Sequence, residues 1–129
     1  MKKITIGNIS FGAGEPLALI AGPCVIESAE AALKAASGIK EITERLGVGF
    51  IFKCSYDKAN RSGVDSFRGP GLNEGLKILA SIKESLSVPI LTDVHSVEEV
   101  APVAKVVDII QIPALLSRQS DLLIAAAKT

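Results

Sequence analysis

The sequence predicts an α/β fold in which a short hairpin precedes four βα units, as one domain over residues 1–129. Three observations predict it. Short apolar runs of strand length, such as Leu17-Ala18-Leu19-Ile20-Ala21, alternate with segments whose apolar residues recur at helical spacing. The runs are apolar at successive positions, as parallel strands covered on both faces require. No linker or low-complexity stretch breaks the alternation, so the strands build one parallel sheet with right-handed crossovers. A closed barrel of eight such units typically takes about 250 residues; the 129 here correspond to half of one and stop where a fifth strand is expected.

Ile4 to Phe11 alternates loosely around Gly7-Asn8, which predicts the hairpin; in a barrel it would plug the bottom. Leu17 to Ala21 is the first parallel strand, stopped by Gly22-Pro23. Ser28 caps the helix that follows, with Glu30 in its first turn and Gly47 at its end. Leu33, Ala36, Ile39 and Leu46, with Ile42 at the edge, are its expected buried stripe, and Glu41 and Arg45 an exposed pair. Gly49 to Lys53 is the second strand. Its helix runs from Leu72 to Leu86, with Leu72, Leu76, Leu79, Ile82 and Leu86 on one face. Pro89 to Thr92 is the third strand, Ser96 and Glu99 predict a capping box, and Pro102 predicts a kink or break. Val106 to Ile112 is the fourth strand, and Ser117 or Ser120 starts the last helix.

Composition excludes several classes. At 48% hydrophobic residues the chain can build a core. Lys and Arg balance Asp and Glu at 14 each, which gives no long-range field for nucleic acid or an anionic membrane. Polar residues separate Lys2-Lys3 from the apolar run Pro16 to Ile26, unlike a secretory signal, and Pro23 before Cys24 does not suit a lipoprotein site. No uncharged apolar stretch reaches the ~18 residues of a membrane span. Two cysteines, Cys24 and Cys54, make no disulfide framework. The expectation is a soluble cytoplasmic chain with a small anionic ligand.

The basic character is local. Lys53, Lys58, Arg61 and Arg68 fall between the second strand and its helix, partly balanced by Asp57 and Asp65 and interleaved with Ser55, Asn60, Ser62 and Ser66. A solvated coil tolerates such a mix. The end of a buried strand is, however, the ligand face of βα-repeat folds, and these groups suit phosphate or carboxylate oxygens. Lys53 and Gln111 end apolar strands. They either pair with Asp93 and the backbone, or project onto the ligand face. Cys54 reads as packing, Arg68 as an exposed salt bridge worth little, and a Cys such as Cys24 is, taken alone, more often a small buried hydrophobe than a ligand. His95 reads as a satisfied polar residue.

The run Lys53-Cys54-Ser55-Tyr56-Asp57-Lys58-Ala59-Asn60-Arg61-Ser62 resembles the signature loop of the 3-deoxy-D-manno-octulosonate 8-phosphate synthases. Ile20 to Ser28, Leu91-Thr92-Asp93-Val94-His95, Asp108 to Ala114 and Arg118 to Leu122 agree in order and spacing. Gly63 stands where that family usually has a second Ser. The resemblance implies the N-terminal half of a TIM (β/α)8 barrel and a condensation of phosphoenolpyruvate with D-arabinose 5-phosphate and water, which feeds lipopolysaccharide. It implies Lys53 and Lys58 on phosphoenolpyruvate, with Gln111 and the backbone near Ala114. It also implies Asn60, Arg61 and Ser62 on the sugar phosphate, with Ser55 in the same loop, Asp93 at the sugar hydroxyls, and Arg118 reaching a neighbouring subunit of a homotetramer. Cys24 places the chain with the class that uses a divalent transition metal; that class's His, Glu and Asp ligands come from later strands. Alternative expectations are a non-catalytic phosphate-binding half-barrel, a fragment inactive on its own, and a heptulosonate 7-phosphate synthase, whose basic loop differs.

Overall fold

The computed structural model of the chain describes residues 2–59, 63 and 65–129. Strands β1 (Ile4–Ile6) and β2 (Ile9–Phe11) pair antiparallel as the expected hairpin. Gly7 supplies the left-handed conformation its turn needs, at φ +57°. Then come β3 (Ala18–Ala21), α1 (Ala29–Leu46), β4 (Gly49–Lys53), α2 (Leu72–Leu86), β5 (Ile90–Asp93), α3 (Val97–Ala104), β6 (Ile109–Gln111), a 3-10 turn at Ala114–Leu116 and α4 (Ser120–Ala127). The four parallel strands lie side by side in the order β3-β4-β5-β6. Spatial order equals chain order, as in a (β/α)8 barrel; a doubly wound sheet would reverse direction partway. The chain therefore folds as half of such a barrel.

Pairing fixes which residues share a face, because side chains alternate along each strand. Phe50, Phe52, Ile90 and Ile110 face the helices. There they join Ala32 and Ala36 of α1, Ile78, Leu79 and Ile82 of α2, Val100 and Val103 of α3, and Leu122 of α4. Ile51 and Leu91 face the other way, onto Ile9 of the hairpin, with Phe11, Ala18 and Ile109 around them. The hairpin thus covers the lower part of the inner face. Two glycines permit close approaches near the top. A Cβ on Gly22 would collide with the Lys53 carbonyl, and one on Gly75 with the Tyr56 side chain.

Local chemistry matches expectation at several caps. Ser28 accepts a hydrogen bond from the Ala31 N–H at 3.1 Å, and Gly47 ends α1 in the left-handed region. Other expectations need correction. The buried stripe of α1 is Ala32, Ala36 and Thr43 with Ile39, whereas Leu33, Ile42 and Leu46 are exposed. The α1 face is rotated so that small residues meet the sheet closely. The ion pair on this helix is Lys40 with Glu44, at 2.6 Å, and not Glu41 with Arg45. Ser96 caps α3 without a side-chain bond to its amides, and the Glu99 carboxylate accepts from Tyr56 OH and the His95 backbone N–H, so no reciprocal capping box forms. Pro102 lies inside α3, which continues only to Ala104. The fourth strand starts at Ile109, since Val106 and Val107 bond back to the Val103 carbonyl and close the helix. Of the two expected starts of the last helix, Ser120 is the one that holds, with Gln119 as its cap, while Ser117 ends the 3-10 turn.

Candidate anion site at the strand ends

The inner face changes character as it rises. Along β4 and beyond, Ile51, Lys53 and Ser55 alternate onto this side; along β5 and beyond, Leu91, Asp93 and His95 follow; β6 adds Ile109 and Gln111. Apolar side chains at the bottom thus give way to polar ones at the C-terminal strand ends.

Asp93 organises that upper layer, with only 5% of its side chain exposed. Ser55 donates to its Oδ1 through a buried hydrogen bond. Lys53 Nζ donates to Ser55 Oγ at 2.9 Å and stands 3.7 Å from Asp93 Oδ1. His95 Nε2 lies 3.2 Å from Asp93 Oδ2. Burial alone would raise the Asp93 pKa. Hydrogen bonds from His95 and Ser55, with Lys53 nearby, outweigh it and hold the carboxyl well below the usual carboxylate range. Burial lowers the Lys53 pKa, against the opposing pull of Asp93. Both structural readings of Lys53 therefore hold at once: it pairs with Asp93, and it does so on the inner face.

A cavity of about 310 Å³ opens above this layer, lined by Lys58, Asp93, His95, Gln111, Pro113, Ala114 and Leu115. Four residues singled out from the sequence, Lys58, Asp93, Gln111 and Ala114, meet in it. Lys53 and Ser55 reach it through Asp93. The loop bearing Lys58 is closed at its base. Its N–H donates to the Arg68 carbonyl at 2.8 Å, and Arg68 grips Asp57 through two hydrogen bonds of 2.8 and 2.6 Å. Arg118 is exposed beyond the 3-10 turn and does not line the cavity. Asn60, Arg61 and Ser62 lie outside the described residues. A larger hollow of about 560 Å³ runs between β6 and α4, but Ile6, Ala104, Val107, Ile109, Ile110 and Leu123 make its lining mostly apolar. The smaller cavity carries the chemistry.

His95 bonds Asp93, as a satisfied polar residue would, and it also forms part of the cavity wall. The signal was available, since it stands two positions beyond Asp93 and so shares its face. Tyr56 and Glu99 had no such signal. Tyr56 OH donates to Glu99 Oε2 at 2.7 Å, a contact between a loop and a helix far apart in the chain. Burial first, and that hydrogen bond second, raise the Tyr56 pKa far above its ordinary value. Cys54 is buried as expected, and burial pushes its thiol up to about 12.

Cys24 is exposed after β3. Among the described residues no three His, Cys, Asp or Glu side chains stand together as metal ligands. At Cys24 the described residues offer one thiol and do not by themselves fit a metal centre.

A family model described as the DAHP synthetase I family matches residues 1–129. The chain belongs to that family. It is 57% identical over 128 residues to the 2-dehydro-3-deoxyphosphooctonate aldolase of Trichlorobacter lovleyi, covering 99% of this chain and 47% of that protein. With the protein of the same name from Fusobacterium nucleatum it shares 58% identity over 129 residues, 100% of this chain and 46% of the relative. The Geobacter metallireducens protein of that name is 56% identical over 128 residues, at 99% and 47% coverage. The chain spans about half the length of the curated relatives it matches. No helix among the described residues is long and apolar enough to cross a membrane.

Proposed function

We propose that this chain carries the phosphoenolpyruvate-binding half of a 3-deoxy-D-manno-octulosonate 8-phosphate synthase. The observation that carries the reading is the cavity in which Lys58, Asp93, Gln111 and Ala114 converge above Lys53. The relatives' name, 2-dehydro-3-deoxyphosphooctonate aldolase, supports the octulosonate branch over the heptulosonate one.

In this reading Lys53 and Lys58 hold the carboxylate and phosphate oxygens of phosphoenolpyruvate by charge-assisted hydrogen bonds. Gln111 and the backbone near Ala114 fix its orientation. The enol carbon of phosphoenolpyruvate attacks the aldehyde of arabinose 5-phosphate, water adds at the enol-phosphate carbon, and inorganic phosphate leaves. Charge develops at both centres, so fixed cations act by electrostatic stabilisation and positioning. Asp93 meets the sugar hydroxyls. Asn60, Arg61 and Ser62, with Ser55 at the base of their loop, belong to the sugar-phosphate side, and Arg118 to a site shared with another subunit of a homotetramer. Cys24 is proposed as one thiolate of a divalent transition metal site whose other donors do not stand together with it among the described residues. The product would enter lipopolysaccharide synthesis in the cytoplasm.

A second reading, a phosphate-binding half without catalysis, draws on the lack, among the described residues, of three metal-type donors standing together. A phosphate-release assay separates them. The purified chain is expected to be inactive with phosphoenolpyruvate and arabinose 5-phosphate, and to gain activity when mixed with the C-terminal half of the Fusobacterium nucleatum relative. Phosphoenolpyruvate binding by the chain, with no turnover in the mixture, would favour the non-catalytic reading.

A further inference from the structure

His95 stands between two carboxylates. Its Nε2 faces Asp93 Oδ2 at 3.2 Å, and its Nδ1 faces Glu99 Oε2 at 3.5 Å. Nδ1 is buried and makes no hydrogen bond among the described residues. A neutral imidazole has one N–H and one lone pair, so it would turn a lone pair toward one of these acceptors. Only the imidazolium suits both. Glu99 is itself fixed from two sides. Tyr56 OH and the His95 backbone N–H each donate to its Oε2 at 2.7 Å. The Tyr56 ring meets the His95 ring edge-on, with centroids 5.8 Å apart and planes at 83°. Tyr56 in turn is fully buried and packs where Gly75 leaves room.

We propose that Glu99 is a positioning residue: clamped by Tyr56, it holds the His95 ring in its cationic form against Asp93, as part of the wall of the anion cavity. The groups that face the ring are Asp93 from β5, Glu99 from α3 and Tyr56 from the chain after β4, with Asp57 and Lys58 on the adjoining loop. The hydrogen bond to Asp93 raises the pKa of His95 above its ordinary 6.5, burial opposes this, and Glu99 adds to the rise. The effect on the site is one of charge. With His95 cationic, Asp93 is neutralised locally, so its hold on Lys53 weakens and more of the Lys53 charge, with that of Lys58, acts on an incoming anion. The benefit to phosphoenolpyruvate rests on the function proposed above; the state of the ring does not.

His95 is the one histidine of the chain, so its ring signals need no assignment. Magic-angle-spinning 15N spectra of the histidine-labelled chain read ring protonation in dissolved or sedimented protein alike. Two protonated ring nitrogens are expected at neutral pH. In Glu99→Gln, which keeps an acceptor for Tyr56 but loses the charge, the midpoint is expected to fall by about one pH unit. An unchanged midpoint, or a neutral ring in the parent at neutral pH, overturns the proposal. A distance measurement in the parent chain needs no variant. If His95 Nδ1 and the Glu99 carboxyl carbon prove to lie beyond ion-pair reach, more than about 6 Å apart, the proposal also fails. Phosphoenolpyruvate is expected to raise the midpoint further. A midpoint that answers to Glu99 but not to phosphoenolpyruvate upholds the positioning role and removes the substrate assignment.

Discussion

The two faces of one sheet do different work with the same alternation. On the helix face, Phe50, Phe52, Ile90 and Ile110 are apolar, and the buried Thr92 beside them donates its hydroxyl to the Cys54 carbonyl. On the inner face, Ile51 and Leu91 sit under Lys53 and Asp93, two residues further along their strands. A strand whose two sides were equally committed to packing could present no charge at its end. The difference teaches that burial on one face supplies the rigidity that charges on the other require. Phe52 and Lys53 are adjacent in the chain, yet one anchors the strand and the other serves the cavity.

The sharpest way to break this contrast is to exchange those neighbours' roles. Phe52→Ala opens a cavity in the main core and is expected to cost about 3–5 kcal/mol of stability, read by urea unfolding. Lys53→Met is expected to leave the fold in place. It should weaken phosphoenolpyruvate binding by about 10- to 100-fold, the equivalent of a lost charged hydrogen bond, read by calorimetry. If Lys53→Met unfolds the chain as readily as Phe52→Ala, the division between the faces is wrong.

A smaller effect sharpens the same contrast through pH. Asp93 has a depressed pKa, so its contribution to stability is present above the ordinary carboxylate value of 3.8 and is lost as pH falls through the lower folded value. His95 has a raised pKa, so its contribution is full below 6.5 and is lost as pH rises through the higher folded value. The urea midpoint is expected to be greatest between these limits and to decline on both sides. Asp93→Asn should flatten both limbs. Phe52→Val should lower the whole curve without changing its shape. A parent curve that is flat across the range would contradict the assigned network.

Arg68→Ala marks the bottom of the scale. Its pair with Asp57 is exposed and screened by solvent, so only a small loss of stability is expected. A loss well above that in thermal unfolding would mean that the Lys58 loop is integral to the core.

Much of this contrast was legible in the residues. Continuous apolar runs marked the buried strands, and a polar residue closing such a run, as in Lys53 and Gln111, marked the ligand end. The bounds of β4 and α2 follow from periodicity and flanking glycines alone. Three things were not legible, each for a physical reason. On α1 the expected Ala36 and Ile39 do pack, but large size does not mark the rest of the stripe: Leu33, Ile42 and Leu46 are exposed, while close packing selects Ala32 and Thr43. The β6 start was set too early because Val106 and Val107 are apolar in either a strand or a helix-closing turn. The Tyr56–Glu99 clamp joins groups distant in sequence, and no local pattern encodes such a pair.

The side-by-side order of β3, β4, β5 and β6 has a consequence for how the chain acquires its structure. Each new strand docks on the one made just before it, so the loop to be closed is never longer than a single helical crossover. Assembly can keep pace with synthesis, strand by strand. Unravelling then runs inward: β4 and β5, bonded on both sides, should be the last amides to exchange with solvent, after β3 and β6 have let go.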